Sequence, residues 1–143
     1  MARKAIPRAV RQQVRTRAHD HCESCQHPAS RACAPFVCEH VLPRVRGAGD
    51  TLAELAWACP ACNSHKYDKT HAPDPQTGRA VPLFNPRRQR WTQHFAWSED
   101  FMLIIGRTAT GRATVESLHL NRPELLNLRR ALRAVGAHPP SLD

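Results

Sequence analysis

Four cysteines in two pairs are the residues with the clearest chemistry in this sequence. Cys22 and Cys25 form one Cys-x2-Cys pair, and Cys59 and Cys62 form a second. Two such pairs supply four thiolates, the ligand set of a closed tetrahedral structural zinc site. A redox-active pair needs no second pair, and it usually begins a helix in a βαβ pattern that this sequence lacks. The spacing therefore predicts structural Zn²⁺, with disulfides or unpaired thiols as the alternatives.

Other cysteines and histidines near these pairs do not predict a second metal site. Because four cysteines already complete the first site, we expect His19, His21 and His27 to be ordinary loop residues. Cys38 follows an apolar run and is expected to pack inward from a strand, while Cys33 is expected to lie in a loop.

Between the two cysteine pairs, the apolar run Val-Cys-Glu-His-Val-Leu-Pro places Glu39 beside His40. A glycine-rich turn at 47–50 comes next, and Asn63 and Lys66 follow the second pair. The order of these pieces resembles the HNH endonuclease family, in the form that carries a zinc knuckle. Each fragment alone is weak evidence, but four of them stand here in the family's order.

The resemblance implies an α+β fold with a ββα-metal core stapled by the four-cysteine zinc site. It also implies an endonuclease that hydrolyses phosphodiester bonds, with DNA as the expected partner and RNA left open. His40 would be the general base that takes the proton of the attacking water, since a neutral imidazole is available near neutral pH. Glu39 and Asn63 would hold a divalent cation such as Mg²⁺, which polarises the scissile phosphate and stabilises the leaving 3′ oxygen.

Two positions depart from the family's pattern. The acid before the histidine is commonly Asp, and Glu39 is one methylene longer. The middle asparagine of the HNH triplet is replaced by Glu54, and an ionised carboxylate only accepts hydrogen bonds where an asparagine also donates them. Glu54 therefore supports an alternative from another class, a zinc-stapled nucleic-acid-binding protein with impaired cleavage. The retained Glu39, His40 and Asn63 favour the enzyme.

The chain is strongly basic. Its 143 residues include 21 Lys and Arg against 12 Asp and Glu, which gives a formal net charge of +9 with His neutral. This balance favours a polyanionic partner, most simply nucleic acid, and disfavours a zinc ribbon that binds only proteins. Lys66 and the cluster of Arg87, Arg88 and Arg90 are the residues that we expect to contact phosphates.

The expected location is the cytoplasm, where thiols stay reduced and can bind metal. No apolar run approaches the roughly 20 residues of a membrane span, and no apolar segment of a secretory signal follows the basic N-terminus. We therefore expect no membrane partner. Nothing in the sequence indicates the oligomeric state or the target site.

The length predicts one domain over residues 1–143, with its core at about 18–72, a C-terminal extension at about 80–136 and a disordered tail at 137–143. Pro7 and the apolar spacing after it predict an N-terminal helix that ends near Ala18. The core is expected to contain two strands and then a helix from Pro60.

In the extension, the β-branched runs at 101–106 and 112–118 predict a hairpin around the turn at 108–111. Asn121 precedes a predicted final helix from Arg122 to about Val135.

Overall fold

The computed structural model describes residues 5–42 and 49–141. Within these ranges it is a mixed α and β structure with three two-stranded antiparallel sheets, which confirms the α+β class. In chain order the elements are α1 (Arg8–Arg17), β1 (Val37–His40), β2 (Leu55–Ala58), α2 (Pro60–Lys66), β3 (His71–Pro73), β4 (Ala80–Pro82), α3 (Trp91–His94), β5 (Phe95–Trp97), β6 (Ile104–Gly106), α4 (Ala109–Ser117) and α5 (Pro123–Ala134). None of the described helices is long and apolar enough to span a bilayer.

The predicted ββα unit is present as β1, β2 and α2. The two strands are antiparallel, with Glu39 opposite Ala56 and His40 opposite Leu55. Every residue of β2 is buried. Pro60 occupies the first turn of α2, where its missing N–H costs nothing, and the Cys59 sulfur accepts a hydrogen bond from the helix N-terminus.

Helix α1 is confirmed where the apolar spacing predicts it, and two of its arginines fasten it to the ββα unit. The guanidinium of Arg11 donates to the carbonyl of Phe36 at 2.7 Å. That of Arg17 donates to the carbonyls of Leu52 and Leu55 at 2.9 and 2.8 Å. These arginines therefore satisfy backbone acceptors of the core, although both residues remain exposed.

The predicted hairpin in the C-terminal extension is wrong. The strand β6 pairs with the upstream strand β5, and most of segment 112–118 belongs to helix α4. The hydroxyl of Thr108 caps this helix by accepting from the backbone N–H of Gly111 at 3.0 Å. A Cβ on Gly111 would lie 2.0 Å from the carbonyl oxygen of His94. The cap and this close approach outweigh the β-branched composition that predicted a strand. The final helix, α5, is confirmed.

A buried ion pair joins the β3–β4 turn to helix α4. The carboxylate of Asp74 has no solvent exposure and accepts two hydrogen bonds from Arg112, each of 2.9 Å. These bonds hold the pKa of Asp74 well below its usual range. The hydroxyl of Thr77 donates to the same carboxylate at 3.0 Å. The segment that follows α2 is thereby fixed against the C-terminal extension.

One continuous core joins the ββα unit to the extension. Its buried members include the four paired cysteines and apolar side chains from both parts, among them Phe36, Leu55, Phe84, Phe95, Leu118, Leu120 and Leu125. The sequence predicts disorder from residue 137, yet His138 is buried and its Nε2 lies 2.7 Å from the carbonyl oxygen of Phe101. Residues 43–48, which include Pro43 and the first two residues of the predicted glycine-rich turn, lie outside the described residues, as do residues 142–143 of the tail.

Candidate active site and metal centre

The four cysteines of the two pairs meet in the structure. Their sulfurs lie within 4.8 Å of one another, and all four residues are buried. The sulfurs of Cys25 and Cys59 are 3.9 Å apart, close to the roughly 3.8 Å expected between ligands bonded to tetrahedral Zn²⁺ at about 2.3 Å. No disulfide links the six cysteines, all of which lie in the described ranges. The cluster is therefore compatible with a structural zinc ion.

Arg122, the residue that precedes α5, lies against this cluster. Its guanidinium donates to the sulfur of Cys62 at 3.6 Å and to that of Cys59 at 3.5 Å. Burial is the largest single effect and lowers the pKa of Arg122. The charges of Cys62, Cys25 and Cys59 and the hydrogen bond to Cys62 together outweigh it, so the pKa lies above its usual value. Four thiolates around Zn²⁺ leave a net negative charge, and Arg122 supplies the nearby positive charge that offsets it.

Glu39 points into the protein from β1. Its side chain is 5% exposed, and its Oε1 has no hydrogen-bond partner among the described residues. Burial raises the pKa of Glu39 to about 7, although the charge of Lys66 opposes this shift. A buried carboxylate with an unpartnered oxygen is costly unless a proton or a cation meets it. The donor chemistry at Glu39 therefore fits a divalent cation, which prefers hard oxygen ligands.

His40 projects from the opposite face of β1, because side chains alternate along a strand. Its Nε2 lies 2.7 Å from Oδ1 of Asp50. A carboxylate only accepts hydrogen bonds, so in the neutral imidazole the proton sits on Nε2 and Nδ1 is the basic nitrogen. Sequence reasoning missed Asp50. The sequence does indicate it, because Asp50 is an acidic residue at the end of the glycine-rich turn that follows His40.

The prediction that Lys66 contacts a phosphate is corrected by the structure. The side chain is 5% exposed, and its ammonium donates to the carbonyls of His40 and Val41, each at 2.9 Å. Two backbone carbonyls occupy two of the three donors of its ammonium, and the side chain is buried away from a solvent-borne phosphate. Lys66 therefore fixes the end of β1 against α2.

Asn63 lies one helical turn before Lys66 and so shares the face of α2 that meets β1. Its side chain is partly buried, and its amide makes no hydrogen bond to the described residues. Glu39 and His40 lie on β1, and Asn63 lies on α2 one turn before Lys66, which bonds to the His40 carbonyl. The amide oxygen of Asn63 is a second hard ligand of the kind that a divalent cation takes.

Glu54 closes the loop that carries Asp50. Its carboxylate accepts from the hydroxyl of Thr51 at 2.5 Å and from the backbone N–H of Gly49. The Thr51 hydrogen bond lowers the pKa of Glu54 below its ordinary value, so the group is ionised at neutral pH. The backbone of this residue also accepts from Val41 at 3.0 Å. Both side-chain partners are donors, so an acceptor-only residue suits this loop.

The three arginines predicted to contact phosphates divide into two kinds. Arg87 forms an ion pair with Glu23, and the backbone N–H of Trp57 donates to the same carboxylate at 2.8 Å. This largely buried pair ties the extension to the first cysteine pair, so the prediction for Arg87 is corrected. Arg88 and Arg90 are exposed, so a phosphate contact by either residue stays a prediction.

We expect Arg122→Met to weaken the zinc site while leaving its four ligands in place. Loss of a partner to metal-bound thiolates typically costs about 10-fold or more in metal affinity. Zinc transfer from the loaded protein to a colorimetric chelator should therefore be at least about 10-fold faster. The matched control is Arg130→Met on the exposed side of α5, which should release zinc at the wild-type rate. Equal rates in the two variants would contradict the assigned contact.

Comparison with known proteins agrees with this geometry. A family model described as HNH endonuclease matches residues 22–69. No curated protein and no solved structure matches the chain. The matched segment contains both cysteine pairs, the strand that carries Glu39 and His40, and the helix that carries Asn63, and it suggests a nuclease-type function. The resemblance to the HNH endonuclease family is therefore confirmed for residues 22–69.

Proposed function

We propose that this protein is a metal-dependent HNH endonuclease that hydrolyses phosphodiester bonds in DNA. The observation that carries the proposal is the buried Oε1 of Glu39, which has no hydrogen-bond partner within residues 5–42 and 49–141 and lies on the strand that ends in His40. A structural strand has no need of a carboxylate in that environment, since a hydrophobic residue would pack there at lower cost. A cation site explains why the carboxylate is there.

His40 is the proposed general base. Nε2 of His40 donates a hydrogen bond to Asp50, so Nδ1 takes a proton from the attacking water. The Asp50 carboxylate stabilises the imidazolium that forms. Lys66 fixes the backbone of His40 and Val41, which holds the imidazole in one position. The imidazole of His40 is thus held by Asp50, and its backbone is held by Lys66.

Glu39 and Asn63 are the proposed ligands of the catalytic cation. When bound, a divalent ion such as Mg²⁺ polarises the scissile phosphate and stabilises the leaving 3′ oxygen. With a pKa of about 7, Glu39 is only partly ionised at neutral pH, and a bound cation would favour its ionised form. Asn63 adds a neutral oxygen that needs no deprotonation.

The alternative is a zinc-stapled nucleic-acid-binding protein that has lost cleavage, and Glu54 is the residue that favours it. The structure supplies Glu54 with two donors, Thr51 and Gly49, on the loop that positions Asp50. Glu54 in place of asparagine therefore still bonds within this loop. This supports the enzyme as the first proposal.

The direct test is plasmid nicking by purified protein with Mg²⁺, Mn²⁺ or Ni²⁺, against the same reaction in EDTA. We expect nicking that depends on the cation, and a loss of at least about 100-fold in His40→Ala because the general base is removed. A mobility-shift assay must show that His40→Ala still binds the plasmid. Binding without nicking under every cation would favour the alternative, and Glu54→Asn would then be the rescue variant.

Asp50→Asn tests the hydrogen bond that orients His40. The substitution keeps the shape but removes the negative charge that stabilises the imidazolium, so kcat should fall about 10- to 100-fold with KM little changed. Asp50→Glu should recover part of the loss. The control is Glu124→Gln, an exposed acid in α5, which should leave kcat unchanged. A rise in KM with kcat intact would assign Asp50 to substrate binding instead.

Arg88→Ala tests the proposed phosphate contact of an exposed arginine. Duplex binding should weaken similarly for all sequences, and the slope of log affinity against log salt should fall by about 1. Arg130→Ala, which removes an exposed arginine from α5, should change neither quantity. Fluorescence anisotropy at several salt concentrations gives both values. An unchanged slope in Arg88→Ala would remove this residue from the interface.

A further inference from the structure

A pocket of about 290 Å³ opens beside the end of β1. Val41 and Leu42, which directly follow His40, form one wall, and Lys66 lines the pocket between α2 and that wall. The ammonium of Lys66 is bonded to the carbonyls of His40 and Val41. The pocket is therefore continuous with the backbone that carries the proposed general base, and we call it the side pocket.

The side pocket has an apolar interior. Leu83 and Phe84 supply its inner surface, and Leu42 stands at its wall with 44% of its surface exposed. Leucine at that exposure, next to a polar reaction site, leaves apolar area in water. A flat apolar ligand would cover that area and gain the corresponding burial.

Side chains that offer hydrogen-bond donors also line the side pocket, namely Asn85, Arg88 and Gln89. Asn85 and Gln89 both use their amide oxygens within the 85–89 turn, to accept from the backbone N–H groups of Arg87 and Asn85 at 2.9 and 2.8 Å. The group that each side chain retains is therefore its NH₂ donor. Arg88, which also lines the pocket, adds a cation. Donors and a cation suit a ligand that is rich in acceptors and linked to phosphate.

We propose that the side pocket binds an unpaired nucleobase of the DNA strand beside the scissile phosphate, so that the protein selects DNA with an unstacked base. The proposal rests on the proposed function, and it names the substrate class. Apolar walls, NH₂ donors for ring nitrogens and carbonyls, and a neighbouring cation together match a nucleotide.

The size of the pocket argues against a base that remains paired. Its volume lies near the lower end of small-ligand sites, about 300 Å³, which suits one base and not a base pair within a duplex. A base in a continuous duplex must first leave its stack, at a cost of a few kcal/mol, whereas a bulged or single-stranded base has already done so. The pocket therefore favours the second kind of DNA.

The test uses His40→Ala protein, so that binding is measured without cleavage. One ligand is a fully paired duplex, and the other is the same duplex with one bulged 2-aminopurine. We expect the bulged duplex to bind about 5-fold or more tightly by anisotropy, since base contacts of this kind contribute about 1–3 kcal/mol. The 2-aminopurine emission should also become shielded from acrylamide quenching. Equal affinity for the two duplexes would overturn the proposal.

Leu42→Trp in the same background fills the pocket with a larger side chain. It should abolish the preference for the bulged duplex and leave the affinity for the paired duplex within about 2-fold of that of the parent. Leu128→Trp is the matched control, because Leu128 is 37% exposed on α5, and it should keep the preference. A preference that survives in a folded Leu42→Trp protein would overturn the assignment to this pocket.

The outcomes separate this proposal from the endonuclease proposal. If wild-type protein nicks no substrate with any cation, yet the preference for the bulged base is present and sensitive to Leu42→Trp, the endonuclease proposal fails and the side pocket stands. If the wild type nicks paired and bulged duplexes equally and binds them equally, the side pocket fails and the endonuclease stands.

Discussion

The cluster of four buried cysteine sulfurs is the constraint on which the rest of the structure depends. It joins the segment before β1 to the junction of β2 and α2, with the sulfurs within 4.8 Å of one another. Arg122 brings the start of α5 to the same cluster, and the pair of Glu23 and Arg87 adds the segment before α3. Both connections attach the C-terminal extension beside the cysteine ligands. The extension therefore contributes to the environment of the zinc site and completes the core around it.

Two buried ionisable residues, Lys66 and Glu39, define the candidate site. Lys66 is paired with carbonyls and not with a carboxylate, and Glu39 keeps one oxygen unpartnered within the described residues. The lysine lowers the pKa of Glu39, but burial outweighs it and the value rises to about 7. The charge of Lys66 therefore only partly offsets the cost of burying an ionised Glu39, and either a proton or the proposed cation would offset the rest.

Much of this arrangement follows from local spacing, and the remainder does not. The cysteine pairs, the neighbouring Glu39 and His40, and the periodicity of α1 and α5 are patterns that one segment contains by itself. Arg87 is different, because its partner Glu23 lies 64 residues away. Lys66 is expected to contact a phosphate, yet its acceptors are carbonyls of another segment. In α4, the cap at Thr108 and the tight contact at Gly111 overrode a β-like composition.

The same long-range contacts determine where the positive charges behind the net charge of +9 lie. Several arginines donate hydrogen bonds to acceptors within the protein, and these bonds hold their side chains in place. They are Arg11, Arg17, Arg87, Arg112, Arg122 and Arg129. Bonds to carbonyls leave the guanidinium charge unchanged, and the carboxylate partners of Arg87 and Arg112 are already subtracted in the net charge. The contacts therefore fix where the positive charge lies, with the exposed Arg88 beside the proposed catalytic strand. In the proposed endonuclease, this charge would attract the phosphates of any DNA sequence. Selectivity would then depend on groups next to the reaction site, such as the proposed side pocket.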